Sequence, residues 1–192
     1  MLQLYSKRPN KNLYILLFII IKVTIMNKWL ELLRNNDYLG IKKYIKNGAD
    51  LQETNEGGES VLACALRARC DEDVLMLLIE SGADIFDFDD EGVSIFDMAI
   101  TYDNLWMVEY LLEKGLDVNK TNRKSGFTAL MAAACYGRVE IAKLLLEKGA
   151  SQTATDVKGF TAIDFARKMN KKSVLELFDY DPNAPKNMGY AR

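Results

Sequence analysis

The chain has 192 residues, of which 49% are apolar and 27% charged, and a formal net charge of -2. That is the composition of a soluble domain with enough apolar material for one sizeable core. It contains no histidine, which excludes every His-dependent nucleophile, general base and zinc site.

Residues 1–25 differ from everything after them. Lys7, Arg8 and Lys11 precede a short apolar run, Leu13 to Ile21, that Lys22 interrupts, and no acid opposes these four cations. The segment has the basic and apolar parts of an export signal without a small-residue cleavage site. It is too short to span a bilayer, which takes about 20 residues. Three readings stay open: sequence upstream of a start at Met26, an export or anchoring signal, or an extra apolar helix lying on the domain. The remaining residues carry about -6, a balance that disfavours phosphate backbones and hence a nucleic-acid partner.

From Asn27 to Asn47 the pattern predicts a helical pair beginning at Met26-Asn27. Trp29, Leu30, Leu32 and Leu33 supply one apolar face, Leu39, Ile41, Tyr44 and Ile45 the other, and Asn36-Asp37 the turn. Gly48 to Gly58 then runs out and back as a short β-type finger. A second unit, Gly58 to Asp84, predicts helices over Val61–Ala68 and Val74–Glu80, with an extra residue near Cys70-Asp71-Glu72. Its finger sets Phe86 and Phe88 among acids that include Asp89 and Asp90. Two readings are open there: a ring folded back onto a neighbouring finger, or an exposed aromatic-acidic tip that a partner grips.

The third unit, Gly92 to Asn119, places Trp106, Val108, Leu111 and Leu112 at core spacing, and Ser94 with Asp97 resembles a capping box. Its finger, Lys120 to Ser125, is basic. In the fourth unit Thr128 caps an alanine-rich helix, Gly137 permits the reversal, and Ile141, Leu144 and Leu145 bury a second helix that Gly149 ends. The fifth, Gly159 to Phe178, brings Val174, Leu175, Leu177 and Phe178 under a polar outer surface suited to a cap. Residues 180–192 hold two prolines and no apolar period, and read as a flexible tail.

These units are copies of one another. Gly58, Gly92, Gly126 and Gly159 recur at steps of 34, 34 and 33 residues, and Gly48, Gly82, Gly115 and Gly149 run in phase at 34, 33 and 34. Such a period marks a stacked helical array in which each hairpin buries its apolar face only against its neighbours. The residues Gly126-Phe-Thr-Ala-Leu-Met-Ala-Ala133, Val139 to Ala150, the Gly-Ala-Asp of 48–50 and 82–84, and Gly115-Leu-Asp-Val-Asn119 resemble the ankyrin repeat. The resemblance covers about residues 26–178. It implies an all-α solenoid of about five stacked helix-turn-helix repeats with short β-hairpin fingers, spanning 26–179 between the N-terminal segment and the tail. Members of that family usually open the first helix with Thr-Pro-Leu-His. This chain has no Pro or His there, so the polar network between its neighbours is expected to differ.

No catalytic constellation is visible. The glycines follow the repeat and form no phosphate loop, and Asp89-Asp90 falls on a solvated finger where nothing separates two carboxyl pKa values. Cys64, Cys70 and Cys135 lack metal-ligand spacing and read as structural thiols of a reducing compartment. The resemblance implies binding through the fingers and the exposed side of each first helix. By alignment, the position after each finger glycine holds Glu59, Val93, Phe127 and Phe160. The two positions closing the first helix hold Arg67 and Ala68, Thr101 and Tyr102, Cys135 and Tyr136, and Lys168 and Met169. Val93, Tyr102, Phe127, Tyr136, Phe160 and Met169 would form an apolar strip of the kind interfaces favour. The expectation is a cytoplasmic, monomeric, non-catalytic binding module that takes a partner protein and no cofactor. The alternative is an exported or membrane-tethered accessory protein held by residues 13–21.

Overall fold

The computed structural model describes residues 11–178 and divides the chain into two compact units, Met1–Asp90 and Glu91–Arg192. All regular structure among the described residues is helical, as expected. Residues 1–10 and the expected tail lie outside the described residues.

The first unit holds α1 (Lys11–Arg34), α2 (Tyr38–Lys46), α3 (Val61–Ala68) and α4 (Glu72–Glu80). The helix expected to begin at Met26 begins at Lys11 instead. No glycine or proline interrupts residues 11–34, so once nucleated the helix propagates through the apolar run. Its two halves differ. Ile15, Leu16, Leu17, Ile19, Ile20 and Ile21 are about half exposed, whereas Met26, Trp29, Leu32 and Leu33 are buried at helical spacing. No helix of the described residues is long and apolar enough to cross a membrane.

Trp29 packs edge-on against Tyr44, with centroids 4.9 Å apart, and its indole N–H donates to the Asp50 carbonyl at 3.1 Å. That bond lets a large ring be buried without stranding its donor. In α2, Ile41 is buried but Leu39, expected on the same face, is 75% exposed. Two residues turn a helix by about 200°, so Leu39 and Ile41 cannot share a face. Helix α4 starts two residues earlier than expected, with Glu72 and Asp73 in the first turn where the helix dipole favours acids. The link before it is fixed by Asn36, whose side chain accepts from the Asp71 N–H at 3.0 Å and donates to the Asp71 carboxylate.

The expected β-hairpin fingers are turns, not strands. Among the described residues the single bridge is Thr54 with Ser60. The Asn55 side chain explains why: its oxygen accepts from the N–H groups of Gly57 and Glu59, taking donors a strand ladder would need.

The second unit holds α5 (Ile95–Thr101), α6 (Leu105–Glu113), α7 (Ala129–Tyr136), α8 (Val139–Glu147), α9 (Ala162–Lys168) and α10 (Lys172–Leu175). Helix α7 packs between α5 and α9, while α8 packs against α6 and α10. Every residue from Ala129 to Ala134 is buried, because alanine side chains let neighbouring helices approach from both sides. Burying Leu130 and Met131 contributes roughly 1.5–3 kcal/mol each. Trp106, expected in the core, is only half-buried and stacks on Tyr110 at 5.4 Å; Met107 takes the core position beside Val108 and Leu111.

The capping boxes are present at Ser94/Asp97 and Thr161/Asp164, and Thr128 accepts from the Met131 N–H. Both glycine series adopt positive φ, which accounts for the register seen in the sequence. At Gly92 the requirement is doubled, since a β-carbon would lie 2.4 Å from the Asn122 carbonyl oxygen. The polar links that replace the family's usual network are partly visible. Asn119 donates to the Gly149 carbonyl and accepts from the Ser151 N–H, and Val157 N–H donates to the Ser125 carbonyl.

Candidate functional site

No group of three or more metal-ligating side chains occurs among the described residues. The thiols are poorly suited to nucleophilic work. Cys64 and Cys70 are buried, and burial pushes each from an ordinary pKa of 9.0 up to about 11. Arg67 opposes this at Cys64, while Asp71 reinforces it at Cys70. The Cys70 thiol instead donates to the Leu33 carbonyl at 3.2 Å, tying α1 to the α3–α4 turn.

In the first unit the aromatic finger projects its rings. Phe86 and Phe88 are 52% and 55% exposed, so neither is folded back into the core. The Asp84 carboxylate accepts from the Phe86 N–H at 2.8 Å and fixes the start of the turn. Asp89 is half-buried and engaged, whereas Asp90 is exposed with its carboxyl group alongside Gly58. A groove of about 620 Å³ also lies in this unit, between Ile19, Val23, Met26 and Leu30 of α1 and the Thr54–Gly57 turn. The sequence analysis did not single it out, because it depends on α1 reaching upstream of Met26, only one of the three readings left open there.

In the second unit the six strip residues divide by environment. Val93, Tyr102, Phe127 and Phe160 are half-buried, while Tyr136 and Met169 are 41% and 48% exposed. The rings are organised by Phe165 of α9, which the sequence reading did not single out. Phe127 meets it edge-on at 4.9 Å and Phe160 tilts against it at 5.7 Å. The available signal was its register position, which holds alanine at 132 and a large ring at 165.

Cations cover these rings. The Arg123 guanidinium lies 5.2 Å from the Phe127 centroid and its Nε stands 3.3 Å from an Asp97 carboxylate oxygen. Lys168 Nζ lies 5.6 Å from the Phe160 centroid. At Cys135 burial raises the thiol pKa, and the nearby charges of Lys171 and Lys168 oppose that rise. Lys168 ends α9 beside Met169, while the Lys171 side chain lies against Gly137 at the end of α7, one residue past Tyr136. Tyr102 is held by its flanks: Arg138 donates to the Thr101 carbonyl and lies 3.5 Å from the Asp103 carboxylate. The result is an aromatic surface with a cationic margin on a helical support.

Known proteins share the repeat pattern of this chain. A family model described as ankyrin repeats (3 copies) matches residues 31–122 and 117–187. The E3 ubiquitin-protein ligase Ufd4 of Drosophila melanogaster is 46% identical over 99 residues, covering 51% of this chain and 4% of its own length. The E3 ubiquitin-protein ligase hecd-1 of Caenorhabditis elegans is 44% identical over 91 residues, covering 47% and 3%. The nuclear factor NF-kappa-B p105 subunit of Gallus gallus is 33% identical over 150 residues, covering 74% and 15%. The chain thus spans only a small fraction of each of these relatives.

Proposed function

Because the chain belongs to the ankyrin repeat family, whose repeats in general serve protein–protein interaction and are not themselves catalytic, we propose that it binds a partner protein through its finger and first-helix surfaces. In the second unit the contact residues are Val93, Tyr102, Phe127, Tyr136, Phe160 and Met169. In the first unit the exposed tip of Phe86 and Phe88, with Asp89 and Asp90, offers a further contact. The observation that carries the reading is the exposure of Tyr136 and Met169, large side chains ending adjacent first helices. A tyrosine buries much area with only two rotatable bonds, and a methionine adapts its flexible chain to an irregular partner surface. The protein acts as a monomer, without cofactor or turnover. Replacing Tyr102 and Tyr136 with alanine is expected to weaken a purified partner by about 1–4 kcal/mol by calorimetric titration, with the helical spectrum retained. Unchanged affinity would remove this face.

A second reading has one observation behind it, the half-exposed aliphatic side chains from Ile15 to Ile21. On that reading the segment holds the protein at a membrane surface. Mass spectrometry of the native N-terminus together with membrane fractionation tests it. A native product beginning at Met26, or one absent from the membrane fraction, would sink it.

A further inference from the structure

The charge around the second unit's aromatic surface says what kind of partner fits it. Residues 26–90 hold fourteen acids and seven cations, whereas residues 91–192 hold thirteen acids and fourteen cations. Within the second unit Asp97, Asp164 and Asp156 are all hydrogen-bonded within the fold, and the first two are also paired with arginines. Asp97 accepts from the Ser94 N–H and hydroxyl and pairs with Arg123. Asp164 accepts from the Thr161 N–H and hydroxyl and lies 3.8 Å from Arg167. Asp156 accepts from the N–H groups of Lys158 and Phe160.

The cations at the other end of the surface are different. Lys168 is exposed, Lys171 is half-buried, and neither forms an ion pair with any described carboxylate. A β-carbon on Gly137 would lie 2.8 Å from the Lys171 side chain, so Lys171 stands at the end of α7 one residue past Tyr136, and Lys168, next to Met169, reaches over the Phe160 ring at 5.6 Å. Two cations thus border an apolar patch whose own acids are committed elsewhere.

We propose that this surface takes an extended acidic segment of a partner protein, with large apolar side chains seated on Tyr136, Met169 and Phe160 and carboxylates meeting Lys168 and Lys171. This rests on the protein-binding reading above and adds the chemistry of the ligand. Complementary charge selects the partner and its register, while the rings supply contact area. A nucleic acid would meet the same cations, but the committed acids and the exposed Met169 suit a peptide better than a stacked base.

The test uses fluorescence anisotropy on the full chain with three labelled twelve-residue probes (about that length). One alternates Glu with Leu and Phe, one carries Lys in place of Glu, and one carries Gln. A labelled oligouridylate is run beside them. The acidic probe is expected to bind on the order of tenfold tighter than the Lys probe, with the preference shrinking as salt screens it. Lys168→Glu with Lys171→Glu is expected to abolish that preference while circular dichroism and the melting temperature stay near those of the parent chain. Should the double variant unfold, Lys168→Gln alone carries the test through a reduced salt dependence.

Equal binding of all three peptides, weakened by Tyr136→Ala, would overturn the acidic-ligand inference and leave the binding face standing. Acidic preference that ignores both Tyr136→Ala and the lysine changes would overturn the assignment to this face. Absence of binding to any peptide, or tighter binding of the oligouridylate, would overturn the inference outright. If ending the chain at Phe178 tightens the acidic probe tenfold or more, the chain's own residues 179–192 are the resident ligand and the external partner is rejected.

Discussion

Phe86 and Phe88, in the last finger of the first unit, are each more than half exposed; Phe127 and Phe160, at finger ends in the second, are half-buried. The residue type is the same and so is the kind of loop. What differs is register, since Phe127 and Phe160 follow the finger glycine while Phe86 and Phe88 precede theirs, and supply. The second unit provides Phe165 at 4.9 and 5.7 Å and the cations Arg123 and Lys168 over the ring faces. The aromatic finger of the first is followed by further acids. The contrast recurs at matched register positions. Glu59 and Arg67 form an ion pair at 2.7 Å in the second repeat, while Phe160 and Lys168 hold the same two positions in the fifth as a ring under a cation. A repeat can keep its geometry and exchange one form of surface chemistry for another.

The sharpest way to break the comparison is to remove the ring that organises the second unit. Phe165→Ala is expected to cost about 2–3 kcal/mol, below the range for a fully buried phenylalanine because Phe165 is half-buried. Urea unfolding would measure it. A loss under about 0.5 kcal/mol would mean that Phe127 and Phe160 need no common partner.

The thiols give a second contrast, readable in pH. Cys64 and Cys70 of the first unit are raised to about 11, while Cys135 is raised by burial but opposed by two lysines. A thiol whose folded pKa lies above its unfolded 9.0 keeps its proton longer in the folded chain. The associated stability is full below about pH 9 and is lost as pH rises toward about 11. The loss is expected to be at most about 3 kcal/mol per thiol, reached only above about pH 11. Denaturant midpoints on either side of pH 9 in the parent and in Cys64→Ala with Cys70→Ala would isolate it. The variant should show the flatter profile, and parallel profiles would remove the thiols as the cause.

Arg123→Ala comes next, at about 1–2 kcal/mol, because it leaves the buried Asp97 carboxylate without its cation and uncovers the Phe127 ring. The double-mutant cycle with Asp97→Asn separates the two contributions. If the two changes simply add, the ion pair is not what holds the finger down.

Much of this organisation was legible in the sequence, and the reason is local. Glycine at positive φ, Ser or Thr at an N-cap and alanine between packed helices each answer a short-range demand, so the glycine register and α3 are legible to the residue. The misreadings came from elsewhere. Leu39 and Trp106 are apolar residues within short helices, where apolar character alone does not say which face is covered. A helix over the apolar run is one of the three readings the sequence leaves open; that it is continuous with the helix after Met26 is masked by the composition change there, although no helix breaker stands between them. Phe165 escaped notice because its importance lies in a contact with the preceding repeat. The Asn55 turn displaced an expected hairpin by satisfying backbone donors with a side chain.

The smallest effect on stability is expected where the exposure is greatest. Phe86→Ser with Phe88→Ser removes two rings that are 52% and 55% exposed, and surface changes of that kind usually stay within about 0.5 kcal/mol. The fixed part of the turn, the Asp84 carboxylate on the Phe86 N–H, is backbone and survives the substitution. Near-zero change in thermal unfolding beside a measurable loss of partner affinity would assign those rings to recognition. A loss approaching that of Phe165→Ala would instead mean that the exposed rings carry load within the first unit, and the distinction drawn between the two fingers would collapse.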